Sequence, residues 1–326
     1  MYKKILLTLI LLLGQSLNLC AKDVYVGGES IGIKVTYEGV LITGTYDIEE
    51  DGEIYNPQVE DLRKEDIIVA VDGVPIKSVK ELSLRLAQCE QMADVTIIRD
   101  NNRINRNLKI FMINSQLKTG LFVKDELLGI GTLTYIDPEN KTFAALGHEI
   151  IDSDTKKVVT SPYGNIYRSK VVSINKAKTN KPGEKNAKID FDSSIGVIKA
   201  VNQFGTFGTI QDIPQLQLIP TASMNEIELG EAEMLTVLEN DTVETIKIVI
   251  TNIHLQDTPE NKGIEFEVID KRALQLSNGI VQGMSGSPII QNGHLIGAVT
   301  HVATNKPSIG YGLFIEWMLA ESSAIT

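Results

Sequence analysis

Gly279-Ile280-Val281-Gln282-Gly283-Met284-Ser285-Gly286-Ser287-Pro288-Ile289-Ile290 is the stretch that decides how this chain folds and reacts. A nucleophilic serine needs a tight, glycine-flanked turn that exposes its hydroxyl and aims nearby backbone N–H groups at one point. Ser285 sits in that setting, with Gly283 two residues before it and Gly286 directly after. The spacing predicts an oxyanion hole built from the N–H groups of Gly283 and Ser285. Ser287 is a weaker candidate. Glycine, serine and proline are also ordinary turn residues, so the string alone equally fits a plain connection between strands.

Working outward, Ile289-Ile290-Gln291-Asn292-Gly293-His294-Leu295-Ile296 reads as two apolar strands around an Asn-Gly hairpin turn. Its second strand continues through Ala298, Val299 and Thr300. The hairpin resembles one in chymotrypsin-like proteases, where the following strand borders the substrate groove, so the resemblance makes those three residues the expected groove, pairing with a substrate backbone. A core strand without substrate contact is the alternative.

A serine nucleophile needs a base, and the chain has four histidines. His148 ends the apolar run Ala144-Ala145-Leu146-Gly147, where a strand end presents it to a cleft. His301 follows the groove strand and is the second candidate. His294 is expected to face solvent, and His254 has no glycine nearby. For the acid that orients the imidazole, Asp270 precedes Ser285 by fifteen positions, whereas Asp190 and Asp192 lie between His148 and Ser285. Residue pattern alone leaves that choice open, since each also fits a solvated carboxylate.

From about Leu117 onward, short apolar runs alternate with Gly, Asn, Pro and Asp. That rhythm predicts an all-β barrel or sandwich. Lys176 to Lys188 is polar and basic around Pro182-Gly183 and is expected to be a solvated connection. Residues 24–113 form a separate unit. It carries strands, an Asp72-Gly73 turn, and a capping box at Ser78-Val79-Lys80-Glu81 ahead of a helix with Leu82, Leu86 and Cys89 on one face. This segment resembles a bacterial PDZ domain in Ser30-Ile31-Gly32-Ile33, Gly39 to Ile42, Leu62 to Ile68, Val71-Asp72-Gly73 and the helix after Ser78. The resemblance makes Ser30, Ile31, Gly32 and Ile33 the expected peptide-binding residues. Glu65 departs from it, standing where the bacterial pattern usually has glycine.

The net charge of −11 argues against nucleic acid as a partner. Met1 to Gly14 reads as a basic start followed by a short apolar run. Residues 1–23 are therefore an expected signal peptide or membrane anchor. With only Cys20 and Cys89, neither a disulfide framework nor a cysteine-based zinc site is expected.

Taken along nearly its whole length, the chain resembles the stage IV sporulation protein B family of serine peptidases. The matches are Val24 to Gly32, Ala145-Leu146-Gly147-His148, Lys181-Pro182-Gly183-Glu184-Lys185, Gly279 to Pro288, Gly297 to Val302 and Gly310 to Leu319. The resemblance implies a mainly β protein: a PDZ-like α+β domain at residues 24–113, then a chymotrypsin-like double β-barrel protease domain at residues 117–326. It also implies Ser285 as nucleophile, His148 as base and Asp270 as acid, with no cofactor and no metal. Such proteins are exported to the space between forespore and mother cell. There they cleave a regulator of a membrane metalloprotease, which leads to sigma-factor processing, and they cleave themselves. A general quality-control PDZ protease and a catalytically silent peptide-binding scaffold are the other readings.

Overall fold

The computed structural model describes residues 22–212 and 216–325. Residues 1–21 of the expected export segment lie outside them. The chain is mainly β. Its apolar residues fall in period-2 runs, and alternation of that kind lets a strand bury one face while wetting the other.

Six strands make a first barrel: β1 (Ser30–Thr45), β2 (Leu121–Asp137), β3 (Thr142–Ala145), β4 (Gly164–Asn175), β5 (Glu184–Asn202) and β6 (Gly205–Ile210). β2 pairs with β1 and β3, β3 with β6, β6 with β5, β5 with β4, and β4 returns to β1, all antiparallel. The ring closes on a core that includes Ile31, Ile33, Val35, Leu133, Phe143 and Ile198. A second closed barrel follows: β7 (Gly230–Val237), β8 (Val243–Ile253), β9 (Ile264–Val268), β10 (Pro288–Gln291), β11 (His294–Val302) and β12 (Ile309–Phe314). Met234, Ile248, Phe266, Ile289 and Phe314 fill it. Closure leaves no sheet edge along either ring. The expected double barrel is therefore present.

The unit expected to be PDZ-like does not precede the barrels. It interrupts the first one. β1 leaves the barrel, runs into the module and pairs there with Leu121 to Glu126 as β2 returns. The module has its own core, including Val40, Ile42, Leu62, Ile68, Leu82, Val95 and Leu108. Helix α1 (Val79–Leu86) packs Leu82 and Leu86 into it. Ser78 Oγ accepts the N–H of Glu81 at 3.2 Å, while the Glu81 carboxylate takes the N–H of Lys77 at 2.7 Å. Asp72-Gly73 and Asn292-Gly293 both have positive φ at each residue, as type I′ hairpin turns require. Glu65 also has positive φ, at 82°, which explains why glycine is usual there.

This insertion overturns the expected peptide groove at Ser30, Ile31, Gly32 and Ile33. On one side Ser30 faces Thr132 and Ile33 faces Gly129; on the other, Ile31 faces Arg168 and Ile33 faces Ile166. A strand filled on both edges has no unpaired groups for an added peptide. The chain's own β2 occupies that place. Its Asp125 carboxylate accepts the N–H of Val79 at the start of α1, at 2.7 Å. Residues 30–35 thus belong to the first barrel, with Ile31, Ile33 and Val35 in its core, rather than to a domain beginning at residue 24.

Candidate active site

β3 ends at Ala145, and the next three residues place the candidate base, His148. The Gly147 N–H closes a three-residue turn on Ala145 O at 3.0 Å, with Leu146 at φ +76° and Gly147 at φ +73°. A left-handed leucine at the centre of so tight a turn is strained, and strain of this kind gathers at functional sites. Gly147 is required: a Cβ there would stand 3.0 Å from Val299 O. The paired left-handed residues swing His148 out of the barrel wall and over Ser285.

The nucleophile turn is held from beneath by β2. Gly283 and Gly286 have φ of +93° and +88°. Ser285 O accepts the N–H of Thr132 at 2.9 Å, Gly283 O accepts Thr132 Oγ1 at 2.9 Å, and Gly286 O accepts Thr134 Oγ1 at 2.8 Å. Both threonine side chains are fully buried. The first barrel therefore fixes a turn that belongs to the second.

His148 Nε2 lies 2.9 Å from Ser285 Oγ. His148 Nδ1 lies 2.6 Å from Glu149 O. A carbonyl only accepts, so the proton sits on Nδ1 and Nε2 is free to accept from the serine. Burial pushes the His148 pKa down, against a smaller upward pull from the Glu149 carbonyl and carboxylate. Among the described residues, the N–H groups of Gly283 and Ser285 have no acceptor. The intervening and following N–H groups of Met284, Gly286 and Ser287 are bound to Val281, Val299 and Met284 carbonyls. Two free donors beside a half-buried hydroxyl are what an oxyanion needs.

Asp270 is not brought to His148. It is the N-cap of helix α2 (Lys271–Ser277), and its Oδ1 accepts the N–H of Ala273 at 2.9 Å. A short polar side chain just before a helix satisfies otherwise orphaned N–H groups, and that local demand claims Asp270. Asp190 and Asp192 are no nearer the role; the Asp190 carboxylate accepts the N–H of Asp192 on an exposed stretch. Ser287 is fully buried, with its hydroxyl 3.4 Å from Thr132 Oγ1. His294 Nδ1 lies 3.0 Å from Asn292 O, and His254 Nε2 lies 3.2 Å from Asn252 Nδ2.

The groove strand is shifted from its expected place. Ala298 and Val299 are fully buried, and Ala298 is paired on both sides, with Pro288 and Leu313. The Val299 N–H goes to Ser287 O and its carbonyl receives the Gly286 N–H. Pairing with β10 stops at Ala298, so the cleft-facing edge opens only from Thr300 to Val302. Of the three expected residues only Thr300 contributes, its carbonyl standing 3.5 Å from Ser285 Oγ. His301 comes next, its ring 5.7 Å from that of His148. Burial, then the His148 and Lys262 charges, lower the His301 pKa to about 4.

Three further residues shape the site without an obvious sequence signal. Lys185 is buried against Gly283, with its amine 2.8 Å from Thr236 Oγ1 and, among the described residues, no carboxylate partner. Its N–H binds Gln282 O, and the Gln282 N–H binds Gly183 O, so Lys176 to Lys188 is not simply a solvated connection. Asp152 anchors the loop after His148 through Tyr37 at 2.5 Å and Lys124 at 2.6 Å. Against the upward push of burial, those partners hold its carboxyl well below the usual range. Thr132 is the third, hidden in the sequence as one more strand residue.

The model of the SpoIVB peptidase S55 family matches residues 115–319, which hold all four histidines, Ser285 and the whole second barrel. No curated protein matches the chain.

Proposed function

The chain belongs to the SpoIVB peptidase S55 family and is a serine peptidase, and we propose that it cleaves peptide bonds through Ser285 with His148 as general base. The observation that carries this reading is the 2.9 Å contact of Nε2 with Oγ beside two unpaired N–H donors. Ser285 Oγ attacks the scissile carbonyl while His148 Nε2 takes its proton. The new oxyanion is received by the N–H groups of Gly283 and Ser285. The imidazolium then gives its proton to the leaving amine, and water repeats the sequence to release the acyl group. Glu149 O keeps the imidazole in the required tautomer.

The scaffold reading is disfavoured because a silent protein has no need to hold two N–H groups unpaired beside a serine hydroxyl. Labelling with a small fluorophosphonate, followed by mapping of the modified peptide, tests the assignment. Modification at Ser285 supports it, and modification elsewhere or nowhere overturns it.

For the biological setting, we propose export to the space between forespore and mother cell. The substrate there is a regulator that restrains a membrane metalloprotease, and the enzyme also cleaves itself. The family resemblance supports this setting. Co-expression with the candidate regulator, comparing intact protein and Ser285→Ala, tests it.

A further inference from the structure

We propose that the wall of the first barrel beside His148 holds a subsite for an aliphatic substrate residue on the leaving-group side of the scissile bond. The inference rests on the hydrolase reading above and names the substrate class of that same site.

A cavity of about 250 Å³ opens against His148, between β1, β2 and the residues after the base. Ile33, Leu127, Leu146 and Ile150 make its apolar walls. Leu128 and Ile151 stand at its mouth, each more than half exposed. Large apolar side chains left open around a concave surface mark a place where something apolar docks.

Its side of the scissile bond follows from the groove. The open edge at Thr300 to Val302 lies on the second barrel and receives the acyl half of the substrate. The cavity lies across His148, on the first barrel. Ile130, at its edge, stands close to Gly283 of the oxyanion turn. His148 delivers its proton to the departing amine, so the residues beyond that amine leave along this wall. The volume is small for a drug-sized ligand and suits one side chain.

Gly129 provides the test. It lines the cavity, and a Cβ there would meet nothing within 4 Å. Every other wall residue fills space, while this one leaves it open. Gly129→Ala therefore starts from open space, and Gly129→Leu is designed to extend a side chain from the same position and fill the subsite.

The experiment measures kcat/KM for peptides that differ only at the first two positions after the scissile bond: Leu, Ile, Val or Met against Gly, Asp or Lys. The wild-type protein is expected to prefer the aliphatic set roughly tenfold or more, the discrimination a small apolar pocket gives. Gly129→Leu is expected to erase that preference and Gly129→Ala to reduce it, with thermal unfolding confirming that each variant is folded. Binding of leaving-half peptides to Ser285→Ala gives the same ranking without turnover. A wild-type protein indifferent to these positions, or a Gly129→Leu protein with its preference intact, overturns the subsite. If Ser285 is labelled by the fluorophosphonate while the preference is absent, the subsite alone has failed. If the label is absent too, the hydrolase reading has failed with it.

Discussion

His148 Nδ1 meets the main-chain carbonyl oxygen of Glu149 at 2.6 Å, the position at which a triad places a carboxylate. A carbonyl fixes the tautomer as well as a carboxylate does, but it brings less negative charge to stabilise an imidazolium. Burial then dominates the titration of His148 and lowers its pKa. The proposed site is thus a serine–histidine pair oriented by backbone.

Ser285→Ala is expected to remove activity, with a loss on the order of 10⁶ in kcat, the size associated with deleting a triad serine. Ser287→Ala is expected to remain active, because Ser287 is buried and its hydroxyl faces Thr132. Fluorophosphonate labelling of the two purified variants checks both. Labelling that persisted in Ser285→Ala and vanished in Ser287→Ala would reverse the assignment.

Asp270→Asn is expected to stay within a few-fold of wild-type activity, since asparagine caps a helix as well as aspartate. Asp270→Ala is expected to cost about 1 kcal/mol of stability, through loss of the bond to the Ala273 N–H. A fall of roughly 10⁴ in kcat for Asp270→Asn, as when a triad acid is replaced, would restore Asp270 to the catalytic set.

The sequence disclosed local chemistry better than long-range placement. The Asn-Gly turn, the capping box and the local setting of Ser285 and His148 are fixed by neighbours within a few positions, and residue types announce them. The left-handed place at Glu65 was visible as a missing glycine. Asp270 misled because an N-cap and a triad acid look alike in one dimension. The groove expected at Ala298 to Thr300 lies two residues further on because β10 begins only at Pro288, opposite Ala298, a fact of pairing. The insertion of the module into β1 and β2 was hidden because strand period says nothing about which distant strand supplies the partner.

Thr132 is expected to be a positioning residue. Thr132→Val removes the bond to Gly283 O while keeping shape, and leaves that buried carbonyl without its partner. Losing such a partner costs about 1–3 kcal/mol. The expected result is a fall in kcat of roughly tenfold or more, with KM little changed and with recovery in Thr132→Ser. A Thr132→Val protein that lost stability but kept its kcat would show a purely structural role.

Acid is expected to weaken both activity and fold. His148 must be neutral to accept a proton, and its pKa lies below 6.5, so kcat/KM should rise with pH through a midpoint below 6.5 and level off near neutrality. For stability, an imidazole whose folded pKa is depressed binds fewer protons folded than unfolded between the two values, so stability rises with pH across that window. His301, at about 4 in the fold against 6.5 unfolded, places the window between about pH 4 and 6.5. Thermal midpoints across this range check it, and His301→Gln should flatten the slope. A flat profile in the unaltered protein would count against burial as the cause.

Lys185→Met is expected to stabilise the protein at neutral pH. The amine is buried, has one hydroxyl partner, and burial lowers its pKa to about 7 from 10.5. Between those values the unfolded chain holds a proton that the folded chain has released, so wild-type stability climbs as pH rises from about 7 towards 10.5. Below about 7 the interior must accept the charge, and the penalty is at its full size. Methionine keeps much of the stem and removes the ionisable group, leaving Thr236 Oγ1 unpaired at a smaller cost. The advantage of the variant in thermal midpoint should therefore be greatest at or below neutrality and shrink steadily towards pH 10. Because the stem packs against Gly283, activity measured beside stability separates the two roles of the side chain. A variant that gains stability with unchanged kcat makes Lys185 a packing residue whose charge is a burden. A variant less stable than wild type at pH 7 would show instead that the amine is satisfied where it lies.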